Sequence, residues 1–205
     1  KDVSNSVIDD LFFGVLIDDV YYMLADGMGM VTGFDMDEDD TTPKDGIVIP
    51  ETITYEGEEY IISIVGPQAF MECDYTSVTL PSTITYMYDS AFAYSPYLEK
   101  VVIPEDCVFE YFGGEVFVGT PFEAEIYSKD ETIFGKNVLF SYIGNASEYV
   151  ISESVDIIVA HCFFMSGVKS VEFNNKIKEI PAYTFASCRN LKEITIPDSV
   201  ENIEE

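Results

Sequence analysis

Residues 69–81 read AFMECDYTSVTLP, and residues 91–104 repeat the same order of residues as AFAYSPYLEKVVIP. The phenylalanines of these two stretches are 22 residues apart, and Phe163 and Phe185 repeat that interval. A fixed period of this size is typical of a solenoid, in which each unit buries its apolar face against its neighbours. The repeat therefore predicts a stack of similar coils.

Each repeat contains a short apolar run that ends at proline or at a polar residue. Two apolar residues flank one variable residue, which is the alternation of a half-buried strand, and proline ends the strand because it has no N–H to donate. The pattern predicts parallel strands on one face of the solenoid and short turns, 3-10 turns or helical turns on the other. The runs are Val78–Pro81, Val101–Pro104, Val171–Asn174 and Ile194–Pro197.

The extent of the repeat predicts two parts of the chain. Residues 1–46 are an N-terminal extension with a β-hairpin that caps the first coil, since solenoid ends must be covered. Residues 47–205 are the solenoid, with β-hairpin insertions near residues 53–61 and 118–146. Residues 1–12 are predicted to be either a helix or a disordered lead.

The order A-F-x-x-C-x-x-L-x-x-V-x-I-P resembles the signature of BspA-like leucine-rich repeats, a family of bacterial and protist surface proteins. Residues 69–81 and 185–197 carry this order, and the segment 47–60 resembles the family's usual first unit. The resemblance implies a leucine-rich-repeat solenoid that is secreted or displayed at the cell surface. It also implies a non-catalytic module for adhesion, with a host or cell-surface protein or glycan as its partner. The alternative is a structural spacer within a larger surface protein.

The composition narrows the classes of partner. The 205-residue chain has 38 acidic and 10 basic residues and a net charge of −28. Nucleic acid is excluded because phosphate binding needs clustered Lys and Arg, and anionic membrane surfaces are disfavoured. No run approaches the ~18 apolar residues of a membrane span, so we expect no membrane insertion. The sequence has no recognisable signal peptide, and the extracellular localisation rests on the resemblance.

The sequence predicts neither a catalytic site nor a cofactor. The four cysteines, Cys73, Cys107, Cys162 and Cys188, occupy packing positions of the repeat and are predicted to be buried free thiols. The single histidine, His161, occupies a variable polar position without a nucleophile nearby in the sequence, and we expect a surface residue.

The acidic run at residues 35–40 alternates aspartates in the manner of a calcium loop. An EF-hand would then require glycine at the sixth position and glutamate at the twelfth, where this chain has Asp40 and Gly46. The mismatch favours a solvated loop and predicts no metal site, although loose calcium binding stays open.

Two surfaces are candidates for partner binding. The first is the outward side of the repeat strands, because solenoids bind through extended faces. The second is a group of tyrosines around one repeat, in which Tyr86 and Tyr88 flank the predicted core residue Met87 and should point outward. The outward strand positions are Ser77, Thr79, Lys100, Val102, Ser170, Glu172, Glu193 and Thr195.

Overall fold

The computed structural model describes residues 14–36 and 42–204 of the chain. The predicted lead at residues 1–12 and the acidic residues 37–40 lie outside the described residues. Within those residues the chain forms eighteen strands, most of them two to four residues long, and one short helix, α1 (Pro121–Ile126). Parallel pairing between successive repeats confirms the predicted β-rich solenoid.

The chain divides into two compact units, residues 1–123 and 124–205. The described part of the first unit contains ten strands, three of which precede the repeats that begin at residue 47. The strands are β1 (Val15–Ile17), β2 (Val20–Ala25), β3 (Met28–Phe34), β4 (Ile47–Val48), β5 (Thr52–Tyr55), β6 (Glu58–Val65), β7 (Ser77–Thr79), β8 (Tyr86–Met87), β9 (Lys100–Val102) and β10 (Tyr111–Phe112).

The apolar runs before the prolines form one parallel sheet of the first unit, in the order β4-β7-β9. Its register pairs Ile47 with Val78 and Val78 with Val101, so equivalent repeat positions stack directly. Val78 and Val101 are buried, whereas their neighbours along the strands are half-buried or exposed. The predicted alternation of inward and outward residues is therefore present in this sheet.

The predicted turns are accompanied by a second sheet, in the order β1-β2-β3-β6-β8-β10, with β5 paired to β6. β2 pairs antiparallel with both β1 and β3, and the pairs from β3 to β10 are parallel. β8 and β10 are two residues long. Strands this short show no alternation in a sequence, so the pattern could not separate them from turns.

Two tight hairpins extend the second sheet. β2 and β3 are joined by Asp26 and Gly27, and β5 and β6 are joined by Glu56 and Gly57. All four turn residues have positive φ, between 50° and 88°. This is the geometry of two-residue I′ turns, which match the twist of the paired strands.

The division of the chain into an N-terminal extension and a solenoid at residue 46 stays a prediction.

The second unit contains eight described strands in three sheets, in the orders β11-β12-β14, β13-β15-β17 and β16-β18. β11 and β12 form an antiparallel hairpin, and the other pairs are parallel. The strands are β11 (Glu131–Phe134), β12 (Val138–Tyr142), β13 (Glu148–Val150), β14 (Ile157–Ile158), β15 (Ser170–Glu172), β16 (Glu179–Ile180), β17 (Glu193–Thr195) and β18 (Asn202–Ile203).

Five repeats bend through two residues in the left-handed region, one two positions before the repeat phenylalanine or its equivalent and one two positions after it. A non-glycine residue there costs about 1–2 kcal/mol. Backbone hydrogen bonds between coils oppose that cost, as when Glu72 N donates to Ala93 O at 2.9 Å. The residues before are Gln68, Ser90, Glu115, His161 and Tyr183, and those after are Glu72, Tyr94, Gly119, Met165 and Ser187.

The repeat phenylalanines stack through the interior of each unit. In the first unit the ring centroids of Phe70 and Phe92 are 5.2 Å apart, and those of Phe92 and Phe117 are 5.6 Å apart. In the second unit Phe163 and Phe185 stack at 5.1 Å. Fully burying such a side chain contributes about 1.5–3 kcal/mol, so the stack is a principal source of stability.

The position three residues after the phenylalanine does more than fill space. Ser95 Oγ donates to Phe70 O at 2.7 Å and accepts from Cys73 N at 3.1 Å. Cys188 Sγ donates to Phe163 O at 2.8 Å. The small side chain at this position therefore donates a hydrogen bond to a backbone carbonyl of the preceding coil. The sequence did not indicate this role. All four cysteines are free, and Cys188 is half-buried where full burial was expected.

Candidate recognition surfaces

The predicted strand face of the first unit consists of four side chains on β7 and β9. The register places Ser77 beside Lys100 and Thr79 beside Val102. Lys100 is exposed and the other three are half-buried, while the residues between them point into the core. We call these four residues the β7–β9 face. The sheet brings them together as one small mixed patch.

The corresponding residues of the second unit lie on β15 and β17. Ser170 pairs with Glu193, and Glu172 pairs with Thr195. Three of these residues are exposed and Ser170 is half-buried. The patch carries two carboxylates and no aromatic ring, which makes it an ordinary solvated sheet face in composition.

The predicted tyrosines lie at one end of the second sheet of the first unit. Tyr86 is on β8 and its ring stacks against that of Tyr88 at a centroid distance of 6.3 Å. Tyr88 in turn lies 5.2 Å from the ring of Tyr111 on β10. Tyr86 Oη donates to the Glu110 carboxylate, which raises the pKa of the Tyr86 hydroxyl. Three rings thus meet, and the sequence did not indicate that Tyr111 is one of them.

The register of the second sheet places two of these tyrosines, Tyr86 and Tyr111, in a longer row that the sequence did not predict. Five cross-strand neighbours on β2, β3, β6, β8 and β10 point outward, and we call them the outer row: Met23, Met30, Ile64, Tyr86 and Tyr111. Their neighbours along the strands form a buried inner row, which fixes the direction of the outer side chains because successive residues alternate. The inner row consists of Tyr22, Val31, Val65, Met87 and Phe112.

The outer row is accessible at both ends. Met23 is 51% exposed and Tyr111 is 39% exposed, and the three residues between them are half-buried. Met30 packs over Gly66, where a Cβ would lie 2.8 Å from Val31 O and 3.3 Å from the Met30 sulfur, so a larger residue would displace Met30 from the row. The row is therefore a continuous apolar and aromatic strip on a solvent-facing sheet surface, a feature that marks interaction sites more often than ordinary surface.

Carboxylates border the tyrosine end of the outer row. Tyr111 Oη donates to Asp89 at 3.1 Å, and the same carboxylate accepts from Gly114 N at 2.8 Å. Residues 14–36 and 42–123 contain eighteen acidic and two basic side chains, a net charge of −16. Neither described lysine of this unit lies in the row, because Lys44 is near Tyr75 and Lys100 is on β9.

An acidic cavity of about 620 Å³ lies elsewhere in the first unit. Its lining includes Asp18, Asp19, Asp35 and Tyr75, and Lys44 Nζ lies 5.9 Å from the Tyr75 ring centroid. Burial and the nearby Asp19 carboxylate raise the pKa of Tyr75 to about 12. Among residues 14–36 and 42–204, no group of three or more His, Cys, Asp or Glu side chains is arranged to hold a metal ion.

The thiols and the histidine are placed for packing. Burial raises the pKa of the Cys107 thiol to about 11, and burial also raises the pKa of the Cys162 thiol well above its ordinary range. Such thiols carry little thiolate at neutral pH, which disfavours nucleophilic chemistry. His161 is half-buried and stacks on Tyr183 at a centroid distance of 5.3 Å, so its environment is more aromatic than the sequence suggested.

The family model for the BspA type leucine rich repeat region matches this chain in six copies, over residues 47–139 and 132–205. The chain belongs to this family. The match covers more than half of the sequence and includes the repeats that form both units. Membership supports a protein-interaction repeat of the kind found in surface proteins. No helix in the described parts of the chain is both long enough and apolar enough to cross a bilayer.

Several solved structures are similar to this chain. A leucine rich cell surface protein of Faecalibacterium prausnitzii A2-165 is 20% identical, with a TM-score of 0.55 over 88% of this chain and 54% of that one. The leucine rich repeat protein TpLRR of T. pallidum is 19% identical, with a TM-score of 0.54 over 92% and 85%. A leucine-rich repeat protein of Bacteroides ovatus ATCC 8483 is 20% identical, with a TM-score of 0.49 over 93% and 53%.

This chain spans about half the length of the Faecalibacterium and Bacteroides proteins. At these identities the likeness concerns the fold alone. No curated protein matches the chain. The function therefore has to be argued from the surfaces of the molecule itself.

Proposed function

We propose that this protein is a non-catalytic recognition module of a secreted or cell-surface leucine-rich-repeat protein. The observation that carries the proposal is the outer row, an unbroken strip of five apolar and aromatic side chains on a solvent-facing sheet. Solvated sheet faces usually alternate polar residues outward, so a continuous apolar strip calls for a partner. The partner is a host or cell-surface protein, with a surface glycan as the alternative.

The mechanism is rigid display. The coils pair through the parallel strands and through the phenylalanine stack, so the outer side chains are held without help from a partner. Preorganised side chains lose less conformational entropy on binding, which favours affinity from a small contact area. Tyr86 and Tyr88 act as anchors, because tyrosine contributes strongly to interfaces at a low entropic cost.

The β7–β9 face is a second surface for the same role. Its four side chains lie on the repeat strands, as do the matching residues of the second unit on β15 and β17. Lys100 is the exposed cation of this face, and its reversal to glutamate would change the local charge without touching the core. The outer row is the stronger candidate because it is larger and more apolar.

The test is binding of the purified protein to an array of extracellular-matrix proteins, mucins and glycans, with and without calcium. We expect a saturable interaction that Tyr86→Ala combined with Tyr88→Ala weakens by about tenfold or more, as at interface hot spots. Lys100→Glu reports on the β7–β9 face in the same assay. A partner that binds all variants equally would contradict both surfaces.

A spacer role within a longer surface protein is the second candidate. It is favoured by the regular stacking of the coils and by the chain's span of about half the length of two structural neighbours. A spacer needs no partner. Absence of any binding on the array in either condition would favour this role over recognition.

A further inference from the structure

We infer that the outer row binds a cationic polypeptide segment, one in which apolar side chains lie beside lysine or arginine. This inference rests on the proposed recognition function and names the chemistry of the partner. The occupant is a polypeptide from another protein, lying across the strands β2, β3, β6, β8 and β10.

The dimensions of the row fit a short extended segment. Five strands at a spacing of about 4.8 Å place its first and last residues roughly 19 Å apart, and an extended chain advances about 3.3 Å per residue. About six residues of a partner would therefore lie along it. Only every second side chain of such a segment faces the row, so the partner needs alternating apolar residues.

The side chains of the row favour a polypeptide over a glycan. Three of the five members, Met23, Met30 and Ile64, offer sugar hydroxyls nothing stronger than a weak thioether acceptor. Methionine is flexible and polarisable, so it adapts to the shape of another apolar side chain.

The electrostatics select a cation. The described residues of the first unit carry a net charge of −16, and Glu110 and Asp89 lie at the tyrosine end of the row. Both carboxylates bond tyrosine hydroxyls, which places each negative charge beside an aromatic ring. A guanidinium or ammonium group there would meet a carboxylate and a π-face together. An acidic partner would be repelled by the same field.

Three short synthetic peptides test the inference on the intact protein by fluorescence anisotropy. One alternates Lys with Leu, one alternates Lys with Ser, and one alternates Glu with Leu. We expect the Lys-Leu peptide to bind at least about tenfold more tightly than either of the others, because it alone satisfies both requirements. Its affinity should fall at high ionic strength, since exposed charges are screened.

Variants locate the binding. Met23→Ser and Tyr111→Ser change exposed ends of the row, and each should weaken Lys-Leu binding by about tenfold, the usual effect at an anchor. Val48→Ser is the matched control, because Val48 is 69% exposed on β4 in the other sheet of the same unit. The control should bind normally. Unchanged circular dichroism and denaturation midpoints verify that the variants fold.

Each other outcome is decisive. If the Lys-Ser peptide binds as tightly as the Lys-Leu peptide, charge attraction alone explains the binding. If the Glu-Leu peptide binds as tightly, the partner needs no cationic side chain. Either result overturns the inference. Binding of a neutral oligosaccharide that Met23→Ser abolishes would assign the row to a glycan instead. A protein partner lost on Lys100→Glu but kept by Met23→Ser and Tyr111→Ser would uphold the recognition function while refuting this site.

Discussion

Replacing Phe163 by alanine should remove about 4 kcal/mol from the free energy of unfolding, within the ~3–5 kcal/mol range for a buried phenylalanine truncated to alanine. The ring is fully buried and stacks on Phe185 at 5.1 Å with an interplanar angle of 17°. It also contacts Tyr149 at 5.5 Å and Tyr142 at 5.7 Å. Each aromatic pair adds about 0.5–1.5 kcal/mol beyond burial, which places the expected loss above the lower end of the range.

Phe164 is the matched control, because it follows Phe163 directly in the sequence and is 38% exposed. Phe164→Ala should change stability by less than about 1 kcal/mol, as usual for surface positions. Urea denaturation followed by far-ultraviolet circular dichroism measures both variants under identical conditions. Equal losses from the two substitutions, or a loss below about 2 kcal/mol for Phe163→Ala, would refute the assignment of the phenylalanine stack as the main support of the coil.

Three smaller predictions follow from local geometry. Met165 has φ 60° and is 68% exposed, so Met165→Gly should leave the denaturation midpoint unchanged or raise it. Met165→Ile should lower the midpoint, because β-branched residues strongly disfavour the left-handed region. Cys188→Ser should keep the hydrogen bond to the Phe163 carbonyl and Cys188→Ala should lose about 1 kcal/mol in the same titration, a difference that vanishes if the thiol only fills space. Burial raises the pKa of Tyr22 from 10.0 to about 12, so the fold favours the protonated hydroxyl: its contribution to stability is complete below pH 10 and is lost as the pH rises through 12. Circular dichroism across that pH range should therefore show a shallower decline for Tyr22→Phe than for the natural protein, and identical profiles would contradict this.

The repeat made the first sheet predictable, because its runs end at proline and alternate over three or four residues. Val78 and Val101 point inward, and Ser77 and Thr79, which flank Val78 along β7, lie on the solvent side as the pattern requires. These properties are local, and each can be deduced from a few neighbouring residues. The family resemblance, which rests on the same local order, is confirmed by the family match over residues 47–205.

The outer row could not be predicted in the same way. Met23 and Tyr111 are 88 residues apart in the sequence, and only the pairing of five strands places them in one line. The register passes through an irregularity between Gly29 and Met30, which shifts the alternation by one residue. A pattern of period two carried across that irregularity would assign Ile64 to the wrong face.

The left-handed bends were also hidden, for a different reason. Glycine or asparagine usually signals positive φ, but four of the five residues two positions after the repeat phenylalanine or its equivalent are other types, Glu72 and Tyr94 among them. Tertiary hydrogen bonds between coils impose the bend, so the residue type carries no signal. A comparison of the repeats offers one hint, because Gly119 occupies this position in one of them. In the other four repeats the residue type does not indicate a positive φ.

Folding and recognition depend on different side chains in this protein. The inner row belongs to the core, and Val31, Val65 and Met87 are fully buried. Polar residues at the outer positions of the same strands would leave that core intact, as on most solvated sheet faces. Stability in a solenoid comes from contacts between neighbouring coils, to which an exposed end such as Met23 contributes little. A unit with a net charge of −16 has many polar residues available, yet it keeps five apolar side chains in line on its solvent side. Because folding does not require that line, we propose binding as its role.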